Sequence, residues 1–127
     1  MSSTLFLRRI LALDSLSCLA LGLAMGLGAA MLAPLFGLPE PLLRIAGLAL
    51  LPLGAFIFWL ASRPAPPPAL VWVVILGNVG WTAQSVLVIG QSQPTGLGTA
   101  FVAAQAAAVL GLAALEYIGL RKARAMA

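Results

Sequence analysis

The spacing of charged residues constrains this chain more than anything else in it. From Asp14 to Glu40 there are 25 consecutive residues without a charge, from Arg44 to Arg63 there are 18, and from Arg63 to Glu116 there are 52. A helix rises 1.5 Å per residue, so roughly 20 apolar residues cross the hydrocarbon core of a bilayer. The first two stretches each hold one such span. The third is too long for one, and divides at Gln91-Ser92-Gln93-Pro94-Thr95-Gly96, its one polar run. Four helices follow, over about 8–33, 42–61, 69–90 and 98–120. The predicted fold is an all-α membrane protein, an antiparallel four-transmembrane-helix bundle with residues 1–127 as a single membrane domain.

Composition supports a lipid solvent. Of 127 residues, 62% are hydrophobic and 8% charged, against about 25% charged in soluble domains. A 13.0 kDa globule has too little interior to hide that much apolar surface from water. The net charge of +4 gives no nucleic-acid patch, because the basic residues stand singly or in short groups at the ends of apolar runs, as membrane-flank charges do. The expected partner is the lipid bilayer, with a homo-oligomer or larger membrane complex as a further expectation and nucleic acid excluded. Cys18 is the single cysteine and histidine is absent. The chain therefore lacks an internal disulfide, the usual Cys/His metal site and a His-ligated haem. No cofactor and no catalytic chemistry are expected.

The connections are short and rich in proline. Pro41 suits the first turn of helix two, where a missing N–H costs nothing. Glu40 favours the dipole there, and Arg44 lies one turn on for an ion pair. Pro66-Pro67-Pro68 predicts a stiff, extended linker. Short loops make sequential helices antiparallel neighbours. Arg8 and Arg9 before an apolar run, with Ala29-Ala30 beyond, resemble a signal peptide. The run is nevertheless longer than the usual signal core and contains Asp14, so it reads as a span. With the N-terminus inside, six of the seven basic residues (Arg8, Arg9, Arg63, Arg121, Lys122 and Arg124) fall on the cytoplasmic side and Arg44 on the other. Both termini are expected in the cytoplasm.

The polar residues within the spans are the candidates for function. Asp14 is five residues past Arg9 and Glu116 five before Arg121, so each lies about 7–8 Å in from the cytoplasmic side. Asn78 is expected slightly deeper, and Gln84 and Gln105 in the opposite leaflet. Asp14 shares a face of helix one with Cys18, Gly22, Gly26 and Ala30, a small-residue stripe suited to close helix packing. Asp14 is thus expected to face another helix. Asn78, Thr82 and Ser85 form a stripe on helix three, and Gln105, Leu112 and Glu116 one on helix four. Ala100, Ala104, Ala107 and Gly111 offer a second small-residue face. Two readings of Asp14 and Glu116 compete. In the leading one each acid pairs with a snorkelling arginine among Arg8, Arg63 and Arg121. In the other Asp14, Asn78 and Glu116 form a proton site. Pro52 is read as shaping helix two, Trp59, Trp72 and Tyr117 as interface anchors, and Trp81 and Cys18 as packing.

Several motifs carry a resemblance over nearly the whole chain. They are Leu11-Ala12-Leu13-Asp14, Phe36-Gly37-Leu38-Pro39, Arg44-Ile45-Ala46-Gly47, Arg63-Pro64, Asn78 with Trp81, and Glu116-Tyr117 followed by Gly119-Leu120-Arg121. In these the chain resembles the small four-span proteins of bacterial inner membranes, which implies that location and little about activity. An acid in the first span is also a feature of small multidrug exporters, but their aromatic and glycine pattern is absent, as is the glycine-arginine signature of small fluoride channels. The function expected is that of a structural, accessory or partner-binding membrane protein. The alternative is a small proton-coupled transporter or channel working as an oligomer.

Overall fold

A computed structural model describes the backbone of residues 2–125 and the side chains of residues 4–123. It is built from four helices, α1 Ser2–Phe36, α2 Glu40–Ala61, α3 Pro68–Ser92 and α4 Gly96–Ala125. All four are long and apolar enough to cross a membrane. The protein is a multi-pass membrane protein folded as an all-α four-helix bundle. The start of α1 and the end of α4 lie at one end of it, and the tight turns α1–α2 and α3–α4 at the other.

Helix ends depart from expectation where local chemistry overrules a proline or a polar run. The expected stop at residue 33 is overrun, and α1 continues through Pro34 to Phe36. Near the helix end the bond lost at Pro34 and the crowding of the Ala30 carbonyl affect only the final turns, and the terminus itself is closed by a cap. Gly37 takes the left-handed conformation (φ 65°) and the Leu38 amide donates to the Ala33 carbonyl at 3.2 Å, which closes a Schellman cap. Residue 37 tolerates no side chain in any case, since a Cβ there would lie 2.8 Å from the Thr95 amide nitrogen. The α4 start is two residues earlier than expected because Thr95 caps it, its hydroxyl accepting from the Gly98 amide at 3.0 Å. The same hydroxyl donates to the Leu35 carbonyl at 2.8 Å, and the Thr95 amide donates to the Phe36 carbonyl at 3.0 Å. One threonine thus ties the two turns together. α2 runs unbroken through Pro52.

Around the bundle the order is α2, α1, α4, α3. α1 packs along α2 on one flank and α4 on the other, α3 packs on α4, and α2 and α3 barely touch. Sequential neighbours were expected throughout, and this pair is the exception. The Ser62–Pro67 linker is compatible with this separation, and in it Pro67 holds φ −60° and ψ 130°. This is the polyproline geometry that keeps chain ends apart. Arg8 spans the α1–α2 seam at this end by donating from Nε to the Ala61 carbonyl at 3.1 Å, satisfying an orphan acceptor of the α2 C-terminus.

α1 and α2 meet through glycine. A Cβ on Gly22 would lie 2.8 Å from the Gly47 carbonyl oxygen, and one on Gly54 2.9 Å from Leu19. Backbone therefore approaches backbone, the geometry that substitutes for hydrophobic drive inside lipid. Gly26 belongs to the same seam, with its Cβ position 3.2 Å from Leu48. The predicted stripe drifts off the seam at its end, where Ala30 is exposed and Ala29 is 0% exposed. A four-residue step over-rotates a 3.6-residue helix by about 40°, so three steps from Cys18 turn away by about 120° while Ala29 returns to the starting face.

Candidate functional site

Asp14, Asn78 and Glu116 converge. They arrive on α1, α3 and α4 at one level of the bundle, 1%, 5% and 0% exposed respectively. The Asn78 side-chain amide donates one N–H to Asp14 Oδ2 at 2.8 Å and the other to Glu116 Oε1 at 2.9 Å. An amide NH₂ has two donors, and here each carboxyl takes one. Cys18, one turn along α1, donates its thiol to Asp14 Oδ1 at 3.6 Å. The remaining oxygen, Glu116 Oε2, is buried with no hydrogen-bond partner. Ser15, next to Asp14 and 0% exposed, also has an unpartnered hydroxyl.

The arginines expected on these acids are elsewhere. Arg8 binds the end of α2. The Arg63 guanidinium lies over the Trp59 ring at 5.1 Å, and that of Arg121 over Tyr117 at 5.8 Å. Trp72 meets Tyr117 edge-on at 5.7 Å. These contacts form a belt of aromatic and basic residues around the terminal end of the bundle. Arginine stays there because a stacked guanidinium keeps its other donors in water. Among the described residues the salt bridge formed is Arg44–Glu40, at 2.6 Å on the exposed face of α2.

A second polar layer lies one to two turns further in. Trp81 Nε1 donates to Gln105 Oε1 at 2.8 Å, Gln105 Nε2 donates to Ser85 Oγ at 2.9 Å, and Ser85 Oγ donates to the Trp81 carbonyl at 2.9 Å. Thr82 links the two layers by donating to the Asn78 carbonyl at 3.0 Å. Trp81, expected to serve as packing, is therefore a hydrogen-bonding member of this layer. Its spacing from Ser85, one helical turn, was the available signal. Gln84 belongs to neither layer. It is exposed, and among the described residues it has no hydrogen-bond partner.

Two cavities border these layers. A small one of about 40 Å³ is lined by Asp14, Cys18, Asn78, Trp81 and Leu112, among others, and is large enough for a water molecule. A larger cleft of about 280 Å³ opens where α2 and α3 fail to meet. Trp81 lines both and separates them. No group of three or more potential metal ligands occurs among the described residues. The outward face holds Ala100, Ala104, Ala107 and Gly111, all exposed. Comparison with protein-family models, with curated proteins and with solved structures returned no match, so the functional reading rests on this chain's own residues.

Proposed function

We propose that this protein binds and releases a proton at the Asp14–Asn78–Glu116 cluster and works as a small proton-coupled carrier or channel of the bacterial inner membrane. The observation that carries this is two fully buried carboxyls joined by a neutral amide, with no salt bridge to either among the described residues. An unpaired charge buried within a membrane bundle is costly. Two such charges at one point also repel. A proton relieves both terms, and Glu116 Oε2 is the oxygen with no other use. Because all three residues sit on different helices, a proton gained or lost there changes what holds α1, α3 and α4 together. That coupling of charge to packing is what a carrier requires. One chain encloses little aqueous space, so transport by an oligomer is the simplest arrangement. Both termini are placed in the cytoplasm on the six-to-one distribution of basic residues.

Infrared spectra of the protein in lipid across the neutral pH range test this reading. The expected result is a protonated-carboxyl band that shifts in deuterated buffer and disappears in Glu116→Gln or Asp14→Asn. The same variants should lose any flux driven by a pH gradient in proteoliposomes. A wild-type protein without that band would sink the proposal. A second reading is favoured by the Asn78 fork itself, which joins three helices at one point as a purely structural bolt would. In that case the protein is an accessory or partner-binding component, and the acid variants lose stability while no flux exists to lose.

A further inference from the structure

We infer that the cleft between α2 and α3 is a binding site for a neutral amphiphile, a slender apolar molecule with one hydroxyl or carbonyl head, which enters sideways from the bilayer and places its head against Gln84. This holds whether or not the acid cluster carries a proton.

The argument begins with the gap. α2 and α3 barely touch, and the space between them, about 280 Å³, is walled by Leu42, Ile45 and Ala46 of α2 and by Gln84 and Val88 of α3, with Val102 of α4 behind. That volume lies just below the range for small-molecule sites, about 300–1,000 Å³. It does not admit a partner helix, which is about 10 Å across with its side chains, unless α2 and α3 part. The occupant is therefore narrow.

Its chemistry follows from the polar atoms on the wall. Four lining residues carry a polar side chain: Trp81, Gln84, Ser85 and Gln105. Three of them satisfy one another. Gln84 alone has no partner among the described residues. It stands eight residues in from the α3 end at Ser92, about 12 Å along the helix, a depth that falls within the hydrocarbon when α3 spans the bilayer. An amide left unpaired in hydrocarbon is expensive. It both donates and accepts and carries no charge, so its complement is a neutral hydroxyl or carbonyl. A phospholipid headgroup fits poorly, because its charges hold it at the interface.

Trp81 provides the readout, since it lines the cleft. In a Trp59→Phe, Trp72→Phe background it is the only tryptophan. The probes are undecanol brominated at the carbon next to its hydroxymethyl group, which sets the bromine beside the head and hence near Trp81, and 2-bromoundecane, which lacks the hydroxyl, titrated into phosphatidylcholine vesicles holding the protein. Bromine quenches indole at contact. The alcohol should quench saturably at lower membrane concentration than the alkane. Gln84→Leu should raise the half-saturating concentration of the alcohol about fivefold, the worth of one hydrogen bond near 1 kcal/mol, and leave the alkane unchanged. Ala46→Phe should fill the cleft and remove the saturable component. If Ala46→Phe does not fold, the alcohol–alkane comparison with Gln84→Leu decides alone, since Gln84 is exposed and its replacement disturbs no contact. Equal, unsaturable quenching by both probes would overturn the proposal. So would a Gln84→Leu variant that loses oligomer mass with no saturable quenching beforehand, which would assign the cleft to a second copy of the chain.

Discussion

The two flanks of α1 are held in different ways. Towards α2 the contact is made by shape, with Gly22, Gly26, Gly47 and Gly54 bringing backbones together and no side-chain hydrogen bond along the described seam until Arg8 at its end. Towards α3 and α4 the packing also includes a close approach, with a Cβ on Gly119 3.1 Å from Leu7 Cα, but a polar contact is added, Asn78 donating to Asp14, and α3 is in turn tied to α4 by Asn78 on Glu116 and by Trp81, Gln105 and Ser85. The glycines of the α1–α2 seam have no room for a Cβ, whereas Gly77, Gly80 and Gly90 of α3 have nothing within 4 Å of theirs. In lipid neither flank gains from hydrophobic burial, because the tails are as apolar as leucine. Close packing then gives a rigid pair, while hydrogen bonds give a joint that a proton or a ligand can loosen. The α1–α2 pair is the frame, and α3 with α4 is the part positioned to respond.

The largest effect should come from breaking the frame. A Cβ on Gly47 would lie 2.8 Å from both the Met25 carbonyl carbon and Cβ, and α1 backbone cannot step aside. Gly47→Leu should cost about 3 kcal/mol or more, at or beyond the usual range for overpacking, read as a loss of thermal stability in detergent or failure to fold. Gly80→Leu, with nothing within 4 Å of its Cβ position, should change little. Equal losses at the two sites would erase the distinction between the flanks.

Next in size is the bridge. Asn78→Leu removes the shared donor from two buried carboxyls and should cost about 2–3 kcal/mol, the penalty for stranding buried polar groups. In an Asp14→Ala, Glu116→Ala background the same substitution should cost far less, since the groups it strands are gone. A double-mutant cycle measures that difference. Additive losses would mean that Asn78 stabilises α3 by other contacts.

Smaller still is the second layer. Gln105→Leu frees Trp81 and Ser85 from their partner, and interhelical hydrogen bonds in membranes average about 0.6 kcal/mol with a maximum near 1.7. Stability should fall within that range. The Trp81 emission should shift to the blue as its N–H loses a polar acceptor. An unshifted spectrum would place Trp81 outside the layer.

The frame was more legible in sequence than the joint. Gaps between charges and one polar run located the four helices, and depth counted from flanking arginines placed Asp14 and Glu116 at one level, with Asn78 expected somewhat deeper than the level it shares with them in the structure. Four-residue spacing marked Gly22 and Gly26. It did not mark Gly47 or Gly54, whose separation of seven residues signals a seam only once a partner is known. What failed was pairing. Arginine and acid lie within side-chain reach of one another in sequence terms, yet the guanidinium groups stack on Trp59 and Tyr117 at the belt and an amide takes the acids. Which polar group wins a buried carboxyl depends on the rotation of three helices about their axes, and helical periodicity constrains each of them only to a face. The cleft was illegible for a related reason. A proline linker announces stiffness, but whether it separates two helices depends on where their neighbours hold them.

The smallest predicted effect tests what the open glycines are for. Gly80 and Gly111 sit in mid-helix with nothing within 4 Å of their Cβ positions, and glycine there is worse than alanine by roughly 0.5–1 kcal/mol for conformational entropy alone. If these positions face lipid, Gly80→Ala and Gly111→Ala should each stabilise the protein by a few tenths of a kcal/mol up to that limit, with oligomer mass unchanged. At Gly22 the same change should destabilise, because its Cβ would meet the Gly47 carbonyl. The sign is therefore opposite on the two flanks of the bundle. Gly111 also continues the exposed Ala100, Ala104 and Ala107 face, where a methyl would obstruct a second copy packed closely against α4. Analytical ultracentrifugation in detergent alongside thermal unfolding separates these cases. A Gly111→Ala variant that loses stability together with oligomer mass would make the α4 face a packing seam like that of α1, and leave the lipid-facing assignment to Gly80 of the two.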